Sequence, residues 1–136
     1  MTSRLLAKAV REGREIVNVT PERAGWTHVG FRALRLSTDE TETLDTGARE
    51  LCIVVLTGTA DIVVDGTRFD SLGTRDSVFE EVSPAAVYVP PGRRVTIGAH
   101  RASEVALCTA PGGDMARDVR VIDPSTMRRS VRGQGT

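Results

Sequence analysis

Ala86-Val-Tyr-Val-Pro-Pro-Gly-Arg-Arg-Val95 reads as a strand, a tight turn and the opening of a second strand. Ala86 to Val89 is apolar and rich in strand-forming side chains. In Pro90-Pro91-Gly92, Pro91 fixes φ at the second turn position and Gly92 supplies the positive φ needed at the third, which predicts a type II turn. From Arg94 to Ala99 the alternation puts Val95 and Ile97 on one face; Arg94, Thr96, Gly98 and then His100 share the other. No helical period intervenes.

The same rhythm extends in both directions. Glu50 to Thr57 is a continuous apolar strand ended by Gly58. Ala60, Ile62 and Val64 then alternate up to Asp65-Gly66, a strong hairpin signal, and Thr67 to Asp70 returns from that turn. Ser71 to Ser77 reads as a loop around Gly73. Upstream, Val29 to Leu36 reads as one long strand whose period slips at Leu34 and Leu36, as a bulge would do. Downstream, strands are expected from Glu104 to Thr109 and from Val119 to Ile122, with a turn at Pro124 to Met127. Many short strands with frequent turn signals predict an all-β chain, an antiparallel jelly-roll barrel or β-sandwich. Residues 1–25 form an N-terminal arm with a short strand, 26–122 the barrel and 123–136 a linker-like segment.

One strand asks for more cover than a small barrel provides. Leu51, Ile53 and Val55 point one way, while Cys52, Val54 and Leu56 point the other. The outer set must meet an extra sheet, the N-terminal arm or a second domain.

Composition narrows the functions. A chain of 136 residues suits one domain that buries roughly two thirds of its unfolded surface without staples. Eighteen basic and eighteen acidic residues give a formal net charge of zero, so no global field directs the chain to nucleic acid or a membrane. Lys8 is the only lysine; the arginine excess suits either anion recognition through bidentate forks or a general composition bias. No run approaches transmembrane length, and Met1 to Val10 is too short and too interrupted for a signal peptide, so a cytoplasmic protein is expected. Cys52 and Cys108 sit in apolar runs without metal-ligand spacing and read as buried reduced thiols.

Few side chains offer chemistry. His28 reads as a strand-end histidine and His100 as an outward one, with no local support for a Cys-His or Ser-His-Asp arrangement. Arg49 and Glu50 open the apolar strand and can either clamp a carboxylate or pair with Arg75 and Asp76. Tyr88, before the Pro-Pro-Gly turn, can line the barrel mouth and bind a sugar hydroxyl, or pack inside with one satisfied hydrogen bond. Arg49, Glu50 and Tyr88 are thus the ligand-binding candidates. No residue is assigned a catalytic or metal-binding role.

Gly58 after an apolar strand, Asp65-Gly66 and Tyr88-Val-Pro-Pro-Gly92 resemble in their spacing the two cupin signatures, which imply a jelly-roll barrel. Those signatures normally carry His-x-His and Glu before the first glycine, and His three residues after the second motif's glycine. Here Asp45 and Gly47, Leu51, and Val95 stand at these positions and cannot hold a metal. A nearer resemblance is carried by Val19-Thr-Pro-Glu-Arg-Ala-Gly-Trp26, Arg49-Glu-Leu-Cys-Ile-Val-Val-Leu-Thr-Gly58, Arg75-Asp-Ser-Val-Phe-Glu80 and Val87-Tyr-Val-Pro-Pro-Gly92. Together they resemble the N-terminal half of the 5-deoxy-glucuronate isomerase family of myo-inositol breakdown.

That resemblance implies a two-barrel protein about twice this length, catalysing an aldose-ketose isomerisation of a sugar acid. Its divalent metal would lie in a C-terminal barrel that this chain lacks, and no cofactor is expected in these residues. Val131 to Thr136 looks like the start of the joining segment. The expected partners are that second cupin barrel or further copies of the chain, with a small sugar acid as possible ligand. Two alternatives stay open: a stand-alone, metal-free cupin binding a small sugar-like ligand, and a structural dimerisation module.

Overall fold

A computed structural model describes residues 12–24, 28–113 and 117–133. The expectations for Met1 to Val10, Trp26 and the last three residues lie outside the described residues. The strands are β1 (Glu15–Val19), β2 (Gly30–Leu36), β3 (Thr41–Asp45), β4 (Arg49–Thr57), β5 (Ala60–Val64), β6 (Thr67–Leu72), β7 (Ala86–Val89), β8 (Arg94–Ala99), β9 (Ser103–Pro111) and β10 (Arg120–Ile122). One helical turn, α1 (Pro21–Ala24), follows β1. A six-stranded antiparallel sheet runs β1-β2-β9-β4-β7-β10, and a four-stranded one runs β3-β8-β5-β6.

The two sheets bury their facing side chains against each other. The larger supplies Leu34, Leu36, Leu51, Ile53, Val55, Val87, Val89, Val105 and Leu107; the smaller supplies Ala60, Ile62, Val64, Val95, Ile97 and Ala99. Each fully buried large aliphatic side chain contributes about 1.5–3 kcal/mol by leaving water. Val95 and Ile97 are both 0 % exposed, so the parity expected for that strand holds.

Turn chemistry redirects the chain both within a sheet and between the sheets. Asp65 (φ 47°) and Gly66 (φ 86°) form the two-residue hairpin turn between β5 and β6, and the Asp65 carboxylate accepts from the Arg94 amide. The Pro90-Pro91-Gly92 corner leads from β7 in the large sheet to β8 in the small one, with Gly92 at φ 76°. Buried Thr46 braces that corner: its hydroxyl donates to the Pro90 carbonyl at 3.0 Å and accepts from the Arg93 amide at 2.9 Å.

Several local expectations are corrected. β2 pairs with β9 without a break; the bulge lies in its neighbour β1, between Glu15 and Val17. The period slips because Ala33 is buried on the outer face, opposite Val17 of β1, while Leu34 and Leu36 face the core. β6 runs on to Leu72, with a bulge opposite Asp61 where Ser71 takes φ 56° and its amide donates to the Asp61 carboxylate at 2.8 Å. β3 has no counterpart among the predicted strands. Leu44 is its only large apolar residue, and its charged and hydroxyl side chains suit an exposed edge.

The arm's strand β1 extends the edge of the large sheet, with two strands between it and β4, so it does not cover the outer face of β4. Cys52, Val54 and Leu56 are half-buried there. The two cysteines are cross-strand partners between β4 and β9, both half-buried rather than buried, because that face carries no second layer among the described residues. Burial first, and then the neighbouring Cys108, push the Cys52 thiol above its usual pKa. Arg14 of the arm donates to Glu40 and Glu42. That hydrogen bond holds the Glu40 carboxyl down at about 2, the Ser37 amide adding to it.

Candidate functional site

At one end of the interior, where β1, β2, β3, β4 and β9 converge, a cavity of about 250 Å³ opens to the surface. Leu44, Leu51, Leu107 and Phe31 are among its apolar residues; Arg49 and Thr109 supply polar groups from β4 and β9, and Asn18, Thr20, Glu22 and Arg32 add others from the β1–β2 side. Alternation explains the inward residues of β4 and β9. Arg49 shares the parity of Leu51, Thr109 that of Leu107, and the two residues lie one step nearer the mouth. Gly30 sits opposite Thr109, where an added Cβ would lie 2.5 Å from the threonine hydroxyl, so only glycine leaves that hydroxyl room.

The two arginines at this end differ. Arg32 donates to Glu15 at 3.2 Å and to Glu42 at 3.4 Å, while its Nε is buried without a hydrogen-bond partner among the described residues. Arg49 has no carboxylate within ion-pair distance among the described residues. Its Nε donates to the Thr109 hydroxyl at 3.2 Å and one terminal nitrogen to the His28 carbonyl. The expected pair with Asp76 does not form: Arg75 donates to the Leu56 and Val82 carbonyls, and Asp76 pairs with Arg101. The main-chain route from Gly58 to Arg75 takes both residues to the opposite end of β4 from Arg49.

The other two candidates stand elsewhere. Glu50 and Tyr88 have outward parity and meet on the outer face of the large sheet, the phenol donating to the carboxylate at 2.9 Å. Tyr88 therefore does not line the mouth, because Val87 and Val89 take the inward positions of β7. Desolvation first, and then the Glu50 hydrogen bond, push the phenol above its ordinary pKa of 10. Tyr88 is the only tyrosine in the chain, so an absorbance titration reads it directly. A midpoint above the ordinary value is expected, moving down in Glu50→Gln; an unchanged midpoint in that variant would refute the contact. Because the folded pKa is raised, this group's stabilising term is complete below pH 10 and is lost as pH rises through the folded value.

The signature positions fall one residue from where counting put them. Leu51 and Val95 face the interior as expected, but Asp45 points outward at 69 % side-chain exposure and Gly47 lies in a turn. Leu44 and Thr46 face inward in their place, since the alternation of β3 puts Leu44 beside Val95. No group of three His, Cys, Asp or Glu side chains among the described residues is placed to hold a metal. The inward residues at these positions are apolar or hydroxyl-bearing and do not fit one. His100 is exposed and hydrogen-bonded to Asp61 at 2.7 Å; His28 is exposed and contributes its carbonyl. Sequence reasoning missed Thr109, Leu44 and Gly30 as mouth residues, although the parity of β9 carried the signal for Thr109.

Two facing antiparallel sheets, closed by the Pro-Pro-Gly corner and hollow at one end, define a cupin barrel. A cupin domain from Schizosaccharomyces pombe superposes with a TM-score of 0.50 over 81 % of this chain and 66 % of that one, at 12 % identity. The chain belongs to the KduI/IolB family, whose model matches residues 5–136. An IolB-like protein from Salmonella typhimurium superposes with a TM-score of 0.89 at 33 % identity, covering 94 % of this chain and 48 % of that one. The 5-deoxy-glucuronate isomerase of Geobacillus kaustophilus is 39 % identical over 124 residues, which is 91 % of this chain and 45 % of that protein. The chain spans about half the length of the curated relatives it matches. No helix among the described residues is long and apolar enough to cross a membrane.

Proposed function

We propose that this chain is the metal-free, supporting barrel of a cytoplasmic isomerase that converts 5-deoxy-glucuronate between aldose and ketose forms in inositol breakdown. Family membership supports the reaction class. The observation that carries the supporting role is the apolar filling of the signature positions by Leu44, Leu51 and Val95. In this reading the reacting sugar acid is held in a second cupin barrel, where a divalent metal supplies polarisation of the carbonyl. The present barrel contributes packing against that partner or against further copies of the chain. The half-buried apolar outer face of β4 is the surface suited to that role.

An isomerase assay separates the possibilities. The 136-residue chain and a two-barrel protein of the family are each assayed with added divalent metal. Turnover is expected only from the longer protein. Turnover by the 136-residue chain would overturn the supporting role while leaving the fold untouched.

A further inference from the structure

The cavity at the barrel mouth is a site in its own right. It combines mostly apolar walls with one cation, the Arg49 guanidinium, that no carboxylate among the described residues neutralises. A charge at the edge of an apolar hollow is unfavourable unless something of opposite sign answers it. The guanidinium is not loose: Thr109 fixes its Nε, and the His28 carbonyl fixes Nη2. Nη1 makes no hydrogen bond among the described residues, so this guanidinium, part of the cavity lining, keeps an unused terminal donor.

Size and lining define what fits. At about 250 Å³ the cavity lies below the roughly 300–1,000 Å³ of drug-sized pockets, so its occupant has few heavy atoms. Leu44, Leu51 and Leu107 offer no partners for hydroxyls, and the further polar residues of the lining, Asn18, Thr20, Glu22 and Arg32, all come from the β1–α1 segment and β2 on one side. A polyhydroxy sugar acid would bring several hydroxyl groups into contact with those walls, each costing free energy if left unpaired. Acidic residues also ring the site: Glu22 lines the rim and is exposed, and Glu15 and Glu42 bind Arg32. They disfavour a dianion.

We infer that the mouth cavity binds a short aliphatic monocarboxylate, its carboxylate on Arg49 and its hydrocarbon tail between Leu44, Leu51 and Leu107. This goes beyond the supporting role and does not depend on the isomerase reading, since none of these residues was given a part in that chemistry.

Isovalerate is the probe, added to the full ¹⁵N-labelled chain and followed by amide correlation spectra. Saturable shifts of the Gly30, Leu51 and Thr109 signals are expected, with a dissociation constant on the order of 1 mM for so small a ligand. Isovaleramide, which keeps the tail and loses the charge, and Arg49→Gln should each weaken binding by about tenfold or more. Leu44→Phe fills the hollow from the exposed edge strand while leaving Arg49 untouched, and should abolish binding with the spectrum otherwise preserved. If Arg49→Gln fails to fold, Leu44→Phe decides alone. Several outcomes overturn the assignment: no saturable shift at tens of millimolar isovalerate, undiminished binding in either folded variant, tighter binding of D-glucuronate, or equal competition by inorganic phosphate. A lack of isomerase activity, whether in this chain or in a two-barrel relative, bears on the family reading and leaves this test intact.

Discussion

Gly58→Ala is expected to lower the unfolding free energy by about 3 kcal/mol or more, enough to unfold a large share of a marginally stable domain. Two independent penalties act at this position. Gly58 has φ +88°, outside the range that alanine adopts without strain. An added Cβ would also lie 2.1 Å from the Ser103 hydroxyl, 2.6 Å from the Ala102 carbonyl and 2.7 Å from the Ser103 Cα. Two of those three atoms are backbone and cannot rotate away. Gly58 ends β4 in the large sheet just before β5 begins in the small one, so a local shift there disturbs both layers. Gly47→Ala is the control: φ is +60° and nothing lies within 4 Å of the added Cβ, so a loss of about 1–2 kcal/mol is expected. Urea unfolding of the two variants measures the difference. Equal losses would show that backbone conformation alone governs Gly58 and would remove the steric argument.

Restoring the cupin histidine should harm this barrel. Val95→His places an imidazole at a site that is 0 % exposed between the sheets, and a loss of about 3 kcal/mol is expected from overpacking and an unsatisfied ring nitrogen. No gain in divalent metal affinity should follow, because Leu44 and Leu51 are the interior neighbours that would have to supply further ligands. The loss should deepen with acid. A buried imidazole has a folded pKa below its unfolded value of about 6.5, so the unfolded state takes up the proton first and stability falls as pH drops below that value. Thermal melts at pH 8 and pH 5, with and without zinc or manganese, carry the test. A zinc-dependent rise in melting temperature would mean that the interior holds metal ligands beyond the side chains named at these positions.

Much of the barrel was legible because its turns carry their own chemistry. Asp65-Gly66 and Pro91-Gly92 each announce a backbone conformation that few other residues accept, and both positions adopt it. The parity of Val95 and Ile97 was equally plain, since polar or small residues separate them. Legibility failed where pattern lost contrast. β3 is almost wholly polar, because an edge strand owes its place to Arg14 and to pairing with β8 more than to burial. β7 is apolar at every position, so nothing in Ala86-Val-Tyr-Val89 told which way Tyr88 points. The signature count slipped by one because a fixed spacing cannot sense where β3 ends and the turn at Gly47 begins. Arg49 is a candidate on sequence alone, but its importance comes largely from Thr109 and Leu107, which lie far from it in sequence and reach it only through the pairing of β4 with β9.

The position of β9 sets a timetable for the nascent chain. It lies between β2 and β4 in the large sheet yet emerges from the ribosome after both. About 50 residues separate β4 from β9, which at roughly 5–20 residues per second leaves Leu51-Cys-Ile-Val-Val-Leu56 without that neighbour for about 2–10 seconds. During that interval the most apolar segment of the protein is a free strand edge, open to chaperones and to other nascent copies. Yield in a cell should therefore respond to the speed of translation between β4 and β9 more than to the stability of the finished barrel.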